Sequence, residues 1–156
     1  MENNKECSFS KCIAQCDGRL LVASLVAFLP LFAFDLFYHS MILMPTYEAS
    51  SLWRSEVEML RNFPWEIAKQ VGLSFVLTWI FFQHFENKGI GEGLRFGLAT
   101  GLLMGLVQFG NYPYLPISLD LAECWLIRGI MEGIIVGCVL ALVGCMYAKR
   151  SAKPSV

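Results

Sequence analysis

The stretch of sequence that decides the fold is Leu121–Tyr147, LAECWLIRGIMEGIIVGCVLALVGCMY. A helix needs about 20 mostly apolar residues to cross the hydrocarbon core of a bilayer, and this stretch is long enough to do so. Three further stretches are apolar enough to be spans, at about residues 20–44, 66–85 and 93–109. The sequence therefore predicts an all-α protein in which residues 20–147 form a bundle of four transmembrane helices.

The composition of the whole chain also favours a membrane location. Of its 156 residues, 56% are hydrophobic and 16% are charged, whereas soluble domains average about 25% charged residues. A chain this short has too much surface to hide so much apolar area in one globular core. The net charge of −1 argues against nucleic acid as a partner, because attraction to phosphate dominates such binding.

The distribution of lysine and arginine predicts which side of the membrane each connection faces. One side of the spans carries Lys5, Lys11, Arg19, Lys88, Arg95, Lys149, Arg150 and Lys153. The first connection carries Arg54 and Arg61, with Lys69 just inside the second span, and the third connection, GNYPYLPISLD, carries neither residue type. Basic residues are enriched in cytoplasmic connections. We therefore expect the two terminal segments, 1–19 and 148–156, in the cytoplasm and the first and third connections outside.

The first connection, residues 45–64, is long and has its own pattern. Within it, Ser51–Asn62 alternates apolar residues with arginine and glutamate, which is typical of a short amphipathic helix lying at the membrane surface. Aromatic residues at the same predicted depth form an expected interfacial belt. Its members are Trp53, Trp65, Tyr112, Tyr114 and Trp125. The sequence thus predicts a separate outer interfacial helix between the first two spans.

Small residues recur every four positions in the last two spans. They are Gly93, Gly97, Gly101 and Gly105 in the third span, and Gly129, Gly133 and Gly137 in the fourth. Residues four apart lie on one side of a helix, and small ones there let two backbones approach closely in lipid. The pattern favours antiparallel packing of these two spans within one chain. A homo-oligomer interface or a pore-lining face remains open as an alternative.

Polar residues within the spans gather in the predicted outer half of the membrane. They are Asp35 and His39 in the first span, Gln108 and Asn111 at the end of the third, and Glu123, Arg128 and Glu132 in the fourth. A charge at bilayer depth costs roughly 2.5–3.5 kcal/mol on insertion scales, so such residues usually face the protein interior or water. We predict a polar cavity open to the outside. Ion pairs that only hold the helices in register are the alternative.

The sequence predicts no bound cofactor and no resident metal. The two histidines, His39 and His84, fall at opposite ends of the predicted spans, so one chain cannot place both on one haem. Cys7, Cys12 and Cys16 lack the C-x2-C spacing typical of zinc sites. Ordinary thiols are the favoured interpretation, with a metal-capturing tail left open.

Three stretches together resemble a group of small, uncharacterised bacterial inner-membrane proteins with four predicted spans. They are DLFYHSMILMPTYEASSLWRSEVEM from Asp35, GLRFGLATGLLMG from Gly93 and AECWLIRGIMEGIIVGCVLAL from Ala122. The resemblance implies the four-span topology, a bacterial inner membrane and cytoplasmic termini. It implies no activity and no catalytic residue.

Three classes of function follow from these patterns. The first is binding or transport of a small molecule or ion through the predicted cavity. The second is a structural or accessory subunit that packs against itself or another membrane protein through its glycine faces. The third, a membrane enzyme, is the least favoured, because the residues form no recognisable catalytic arrangement.

Overall fold

The structure, a computed structural model, describes residues 18–49 and 54–151, and these residues form helices joined by turns, with no strand among them. The first helix, α1, covers Gly18–Phe37 and continues through a wider π-helical segment, Tyr38–Leu43, into a short α2, Met44–Glu48. It is followed by α3 (Glu56–Gln83), α4 (Ile90–Phe109) and α5 (Leu119–Ser151). The predicted all-α class is confirmed.

Three helical segments are long and apolar enough to cross a membrane: Gly18–Glu48, Ile90–Phe109 and Leu119–Lys149. They correspond to the first, third and fourth predicted spans, and by their length and composition they indicate a membrane protein. The predicted second span, 66–85, lies in α3 as far as Gln83, where the helix ends, and α3 carries charged residues in its first half. A bundle of four crossings is therefore not established by these helices alone.

The predicted separate interfacial helix is wrong for the residues that the structure describes. Helix α3 begins at Glu56 and continues through Pro64 to Gln83 without a break. Its start is fixed by a capping box formed by Ser55 and Glu58, in which the Glu58 carboxylate accepts a hydrogen bond from the backbone N–H of Ser55. The amphipathic residues from Glu56 to Asn62 therefore form the first turns of the long helix α3. Residues 51–53 of the prediction lie outside the described residues.

The π-helical segment ends at Leu43, two residues before Pro45. Proline has no backbone N–H and its ring would clash with the carbonyl four residues earlier in a regular α-helix. A wider turn relieves this crowding, and such turns occur frequently at functional sites. Here the wide turn carries Tyr38 and His39, and it begins just after Asp35.

Helices α4 and α5 pack antiparallel through their glycines. A Cβ atom on Gly101 would lie 2.7 Å from the carbonyl oxygen of Gly129, and one on Gly105 would lie 2.6 Å from that of Leu126. The same close approach pairs Gly97 with Gly133 and Gly93 with Gly137. These distances leave no room for a side chain. The two glycine faces therefore cover each other within one chain.

The connection between α3 and α4 is a tight turn held by one carboxylate. Glu92 accepts hydrogen bonds from the backbone N–H groups of Glu86 at 2.6 Å and Lys88 at 2.9 Å. Gly89 has φ +80°, a left-handed conformation that favours glycine. Lys88 also pairs with the carboxylate of Glu86 and lowers the pKa of that group. This turn thus fixes where α3 ends and where α4 begins.

The packed helices have two ends, which differ in the side chains that fill them. The terminus end contains Gly18, the α3–α4 connection and the end of α5, and it is filled by an apolar core that includes Leu31, Phe81 and Leu140. There α3 meets α4 through Phe81 and Phe96, whose ring centroids are 5.2 Å apart. The other end, here called the connection end, contains the α2–α3 and α4–α5 connections. The polar groups lie toward this end.

Candidate functional site: a charged cavity at the connection end

A cavity of ≈ 1000 Å³ lies at the connection end, between α1, α3, the last turn of α4 and α5. Ligand pockets commonly have volumes of roughly 300–1,000 Å³, so this cavity is at the large end of that range. Its charged lining residues are Asp35, Arg54, Glu66, Lys69 and Arg128. Its walls are mainly apolar and aromatic, with Phe32, Leu36, Phe63, Trp65, Leu115 and Trp125 among them.

An ion pair between α1 and α5 forms the floor of the cavity. The guanidinium Nη1 of Arg128 donates to the carboxylate of Asp35, and each residue is only 4% exposed. Both residues belong to helices apolar enough to span a membrane. Burial of either charge alone would be unfavourable, because an unpaired ion loses its hydration without compensation.

Glu132 extends this pair one turn deeper along α5. Its carboxylate lies 2.9 Å from the same Nη1 of Arg128 and accepts a hydrogen bond from the amide of Gln70 at 3.4 Å. Gln70 is 0% exposed and Glu132 is 1% exposed. One guanidinium therefore faces two carboxylates, and α3 joins α1 and α5 in the network through the amide of Gln70.

Asp35 has two further neighbours that can carry positive charge. His39 Nε2 lies 3.4 Å from one carboxylate oxygen, and Lys69 Nζ lies 3.9 Å from the other. Lys69 also forms an ion pair with Glu66, one turn earlier on α3. The carboxylate of Asp35 is thus surrounded by groups from three helices, which makes it the centre of the network.

A hydrogen-bond chain leads from Trp125 to Asp35. The indole Nε1 of Trp125 donates to the hydroxyl of Tyr47 at 2.8 Å, and that hydroxyl lies 2.9 Å from His39 Nδ1. Because an indole can only donate, the Tyr47 oxygen is an acceptor there. The same hydroxyl lies within hydrogen-bond distance of His39 Nδ1, so it connects the indole with the imidazole beside Asp35.

The structure brings most of the predicted site residues together. Asp35, His39, Gln108, Asn111 and Arg128 line the cavity. Glu132 lies behind Arg128, buried and paired with it.

Glu123 is the exception among the predicted site residues. It is exposed and is not among the residues that line the cavity. Five residues along a helix correspond to a rotation of about 140°, so Glu123 and Arg128 point to different sides of α5. A shared depth in the membrane therefore does not place every polar residue of a helix on the side that faces the cavity.

The prediction from sequence missed the contribution of α3. Glu66 and Lys69 line the cavity, and Gln70 contacts Glu132 beneath it. Their spacing of three and four residues places them on one side of a helix, and they fall inside a predicted span. The cost of a charge at bilayer depth therefore applies to Glu66 and Lys69 as it does to Arg128. Tyr47 carried no such signal, because its position depends on the wide turn and α2.

The described residues offer no cluster of three histidine, cysteine, aspartate or glutamate side chains that could hold a metal. Within the cavity, Arg128 adjoins Asp35 and Glu132, and its charge opposes binding of a cation by that pair. His84 is at the end of α3, in the terminus end, far along the chain from His39. The thiols of Cys124, Cys138 and Cys145 are free. The proposed tail motif, Cys7, Cys12 and Cys16, lies outside the described residues.

Comparison with protein-family models, with curated proteins and with solved structures gives no match for this chain. The assignment of a function therefore depends on the geometry of the cavity and of the ion network.

Proposed function

We propose that this membrane protein binds or transports a small molecule or ion through the cavity at its connection end. In this proposal α3 is a fourth crossing, both termini are in the cytoplasm, and the cavity opens to the outside of a bacterial inner membrane. The positions of basic residues in the sequence support this orientation.

The observation that carries the proposal is the association of a large cavity with buried charge. Arg128, Asp35 and Glu132 belong to apolar helices and meet at the floor of the cavity. Ionisable residues inside membrane helices are costly, and in known cases they usually mark substrate or ion pathways. An ion pair that served only to hold helices in register would be equally effective without ≈ 1000 Å³ of open space beside it.

The cavity is closed toward the terminus end. Below Glu132 the interior is filled by apolar side chains, including Leu31, Val136 and Leu140, each 0% exposed. A bound molecule therefore cannot reach the cavity from the terminus end. Transport requires a second conformation in which this apolar core opens, whereas binding alone does not.

Ligand-dependent thermal stabilisation tests the proposal. The purified protein is heated in detergent with a panel of amino acids, short-chain and long-chain organic acids, alkyl phosphates, amines, phosphate esters and metal ions, since a ligand that binds the folded state raises Tm. Lys69→Gln is the test variant, because Lys69 lines the cavity with its side chain 52% exposed. Lys88→Gln, at the opposite end, is the matched control. We expect a ligand response that is reduced in Lys69→Gln and kept in Lys88→Gln, and a panel without any response would contradict the proposal.

The alternative, an accessory subunit that binds a partner through its glycine faces, loses the surface on which it was based. Those faces pack against each other within the chain. A partner would have to contact another surface, such as the exposed leucines of α4. These side chains are equally suited to lipid, so they do not favour a partner.

A further inference from the structure

We propose that the ligand of the cavity is an anionic amphiphile, with a carboxylate or phosphate head and an apolar chain. This inference rests on the proposed function and names the chemical class of the molecule that is bound. It follows from the charges that remain available in the cavity and from the nature of its walls.

The two anionic side chains that line the cavity are already paired. Asp35 is contacted by Arg128, His39 and Lys69. Glu66 is paired with Lys69. A cationic ligand would have to displace one of these partners before it reached a carboxylate.

Two of the cationic side chains that line the cavity, Arg54 and Lys69, are exposed to it. Arg54 lines the cavity, is exposed, and forms no ion pair with any described residue. The side chain of Lys69 is 52% exposed, and an ammonium has three hydrogen-bond donors for its neighbours. Arg128 is occupied by Asp35 and Glu132, so the three cations Arg54, Lys69 and Arg128 are balanced by the three carboxylates of Asp35, Glu66 and Glu132. An anionic group that enters the cavity therefore meets no excess of positive charge, but it can reach the exposed guanidinium of Arg54 and the half-exposed ammonium of Lys69.

The walls indicate that the anion carries an apolar chain. Phe32, Leu36, Phe63, Trp65 and Leu115 line the cavity. A small inorganic anion would leave these apolar surfaces in contact with water, whereas a hydrocarbon chain would cover them and gain the free energy of apolar burial.

The position of the cavity allows access from the bilayer. Helices α3 and α4 meet at the terminus end through Phe81 and Phe96. At the connection end the cavity extends from α3 to Gln108 in the last turn of α4. Leu36, which lines the cavity, is 48% exposed. A chain can thus lie along the apolar wall while its head reaches Lys69 and Arg54.

An aromatic cavity with carboxylates also suits a quaternary ammonium ligand. Here that head would lie beside Arg54, Lys69 and Arg128, so we expect it to bind more weakly than an anion. A zwitterionic head should be intermediate. The sign of the head group is therefore the property that an experiment must vary.

Tryptophan quenching measures binding directly, because Trp65 and Trp125 line the cavity. In a full-length protein carrying Trp53→Phe and Trp79→Phe, these two are the remaining indoles. The probes are chain-brominated dodecanoate, dodecyl phosphate, dodecyltrimethylammonium and dodecyl maltoside, added to protein in maltoside micelles. We expect saturable quenching by the two anions, competed by unbrominated dodecanoate and weakened by salt.

Charge variants identify the residues that recognise the head. Arg54→Gln combined with Lys69→Gln should weaken dodecanoate binding by about tenfold, as expected for loss of charge-assisted hydrogen bonds. The charge-matched control is Lys88→Gln combined with Arg95→Gln, because neither of these residues lines the cavity. Equal weakening by both pairs would overturn the assignment.

The probe panel separates failure of this inference from failure of the proposed function. Equal or stronger saturable quenching by the ammonium or the maltoside overturns the anionic assignment but leaves a binding cavity. Competition by acetate or inorganic phosphate as effective as that by dodecanoate shows that no chain is needed and overturns the amphiphile. Absence of saturable quenching by every probe contradicts both. A last comparison uses phosphatidylcholine bilayers that contain a trace of brominated lipid. Quenching by brominated phosphatidylglycerol but not by brominated phosphatidylcholine would show that the anionic amphiphile is a membrane lipid.

Discussion

Replacement of Arg128 by methionine removes its charge and keeps an unbranched side chain of similar length. Arg128 and Asp35 are each 4% exposed and Glu132 is 1% exposed, and the same guanidinium nitrogen serves both carboxylates. Its loss therefore leaves two carboxylates in an apolar interior without this cation. Breaking a buried ion pair by removal of one partner costs about 3–5 kcal/mol. For a chain of this length we expect a decrease in Tm of about 6–20 °C.

The two carboxylates should respond differently to this loss. Asp35 keeps His39 and Lys69 as neighbours. Glu132 keeps the amide of Gln70, at 3.4 Å, as its side-chain partner among the described residues. We therefore expect Glu132→Gln to rescue the Arg128→Met variant more than Asp35→Asn does. The variant with all three changes should approach the wild-type Tm, because replacement of an entire buried ion cluster is often nearly neutral.

The assay is thermal unfolding in a mild detergent, followed by far-ultraviolet circular dichroism and by size-exclusion fluorescence. Arg95→Met, at an exposed position on α4, is the matched control and should leave Tm unchanged. A decrease of less than about 2 °C in Arg128→Met, well below the change expected for a lost buried pair, would refute the reasoning. Equal rescue by the two carboxylate variants would refute the proposed difference between Asp35 and Glu132.

Three further substitutions test separate contacts. Gly133→Leu should prevent α4 and α5 from packing and lower the yield of folded protein, since overpacking alone costs about 1–3 kcal/mol. The control Gly91→Leu, where a Cβ meets nothing within 4 Å, should keep the wild-type size-exclusion profile. Equal yields of the two variants would contradict the close packing. Tyr47→Phe should cost about 1 kcal/mol in thermal unfolding by removing the link between indole and imidazole, whereas Tyr114→Phe, 84% exposed, should cost nothing measurable. Glu92→Gln should weaken its acceptance of two backbone N–H groups, which faster hydrogen exchange confined to the α3–α4 connection would detect; unchanged exchange would count against it.

Hydropathy predicted much of the fold, because the cost of exposing backbone and charge to lipid constrains sequence strongly. The third predicted span ends at Phe109, where α4 also ends, and the glycine spacing identified the contacting faces of α4 and α5. The start of α3 was missed, although Ser55 and Glu58 have the spacing of a capping box.

The site was predicted less completely, because periodicity within one helix does not give the register between helices. The spacing of Arg128 and Glu132 placed them on one face, and their contact is present. Asp35 contacts both His39, four residues along the chain, and Arg128 on α5, and only the first of these contacts follows from spacing within one helix. The approach of Lys69 to Asp35 depends on how α3 lies against α1, which no local pattern encodes.

Cysteine accessibility in intact cells is the most direct test of an outward-open cavity. Asn62 and Gln108 line the cavity from α3 and α4, whereas Ser74 is 1% exposed in the core and Lys88 is at the terminus end. Each is replaced singly by cysteine in a chain whose six native cysteines are changed to serine.

We predict that a membrane-impermeant maleimide added outside labels the Asn62→Cys and Gln108→Cys variants, labels Lys88→Cys only after permeabilisation, and leaves Ser74→Cys unlabelled. Labelling of Lys88→Cys from outside, or protection of both cavity positions from the reagent, would contradict the account.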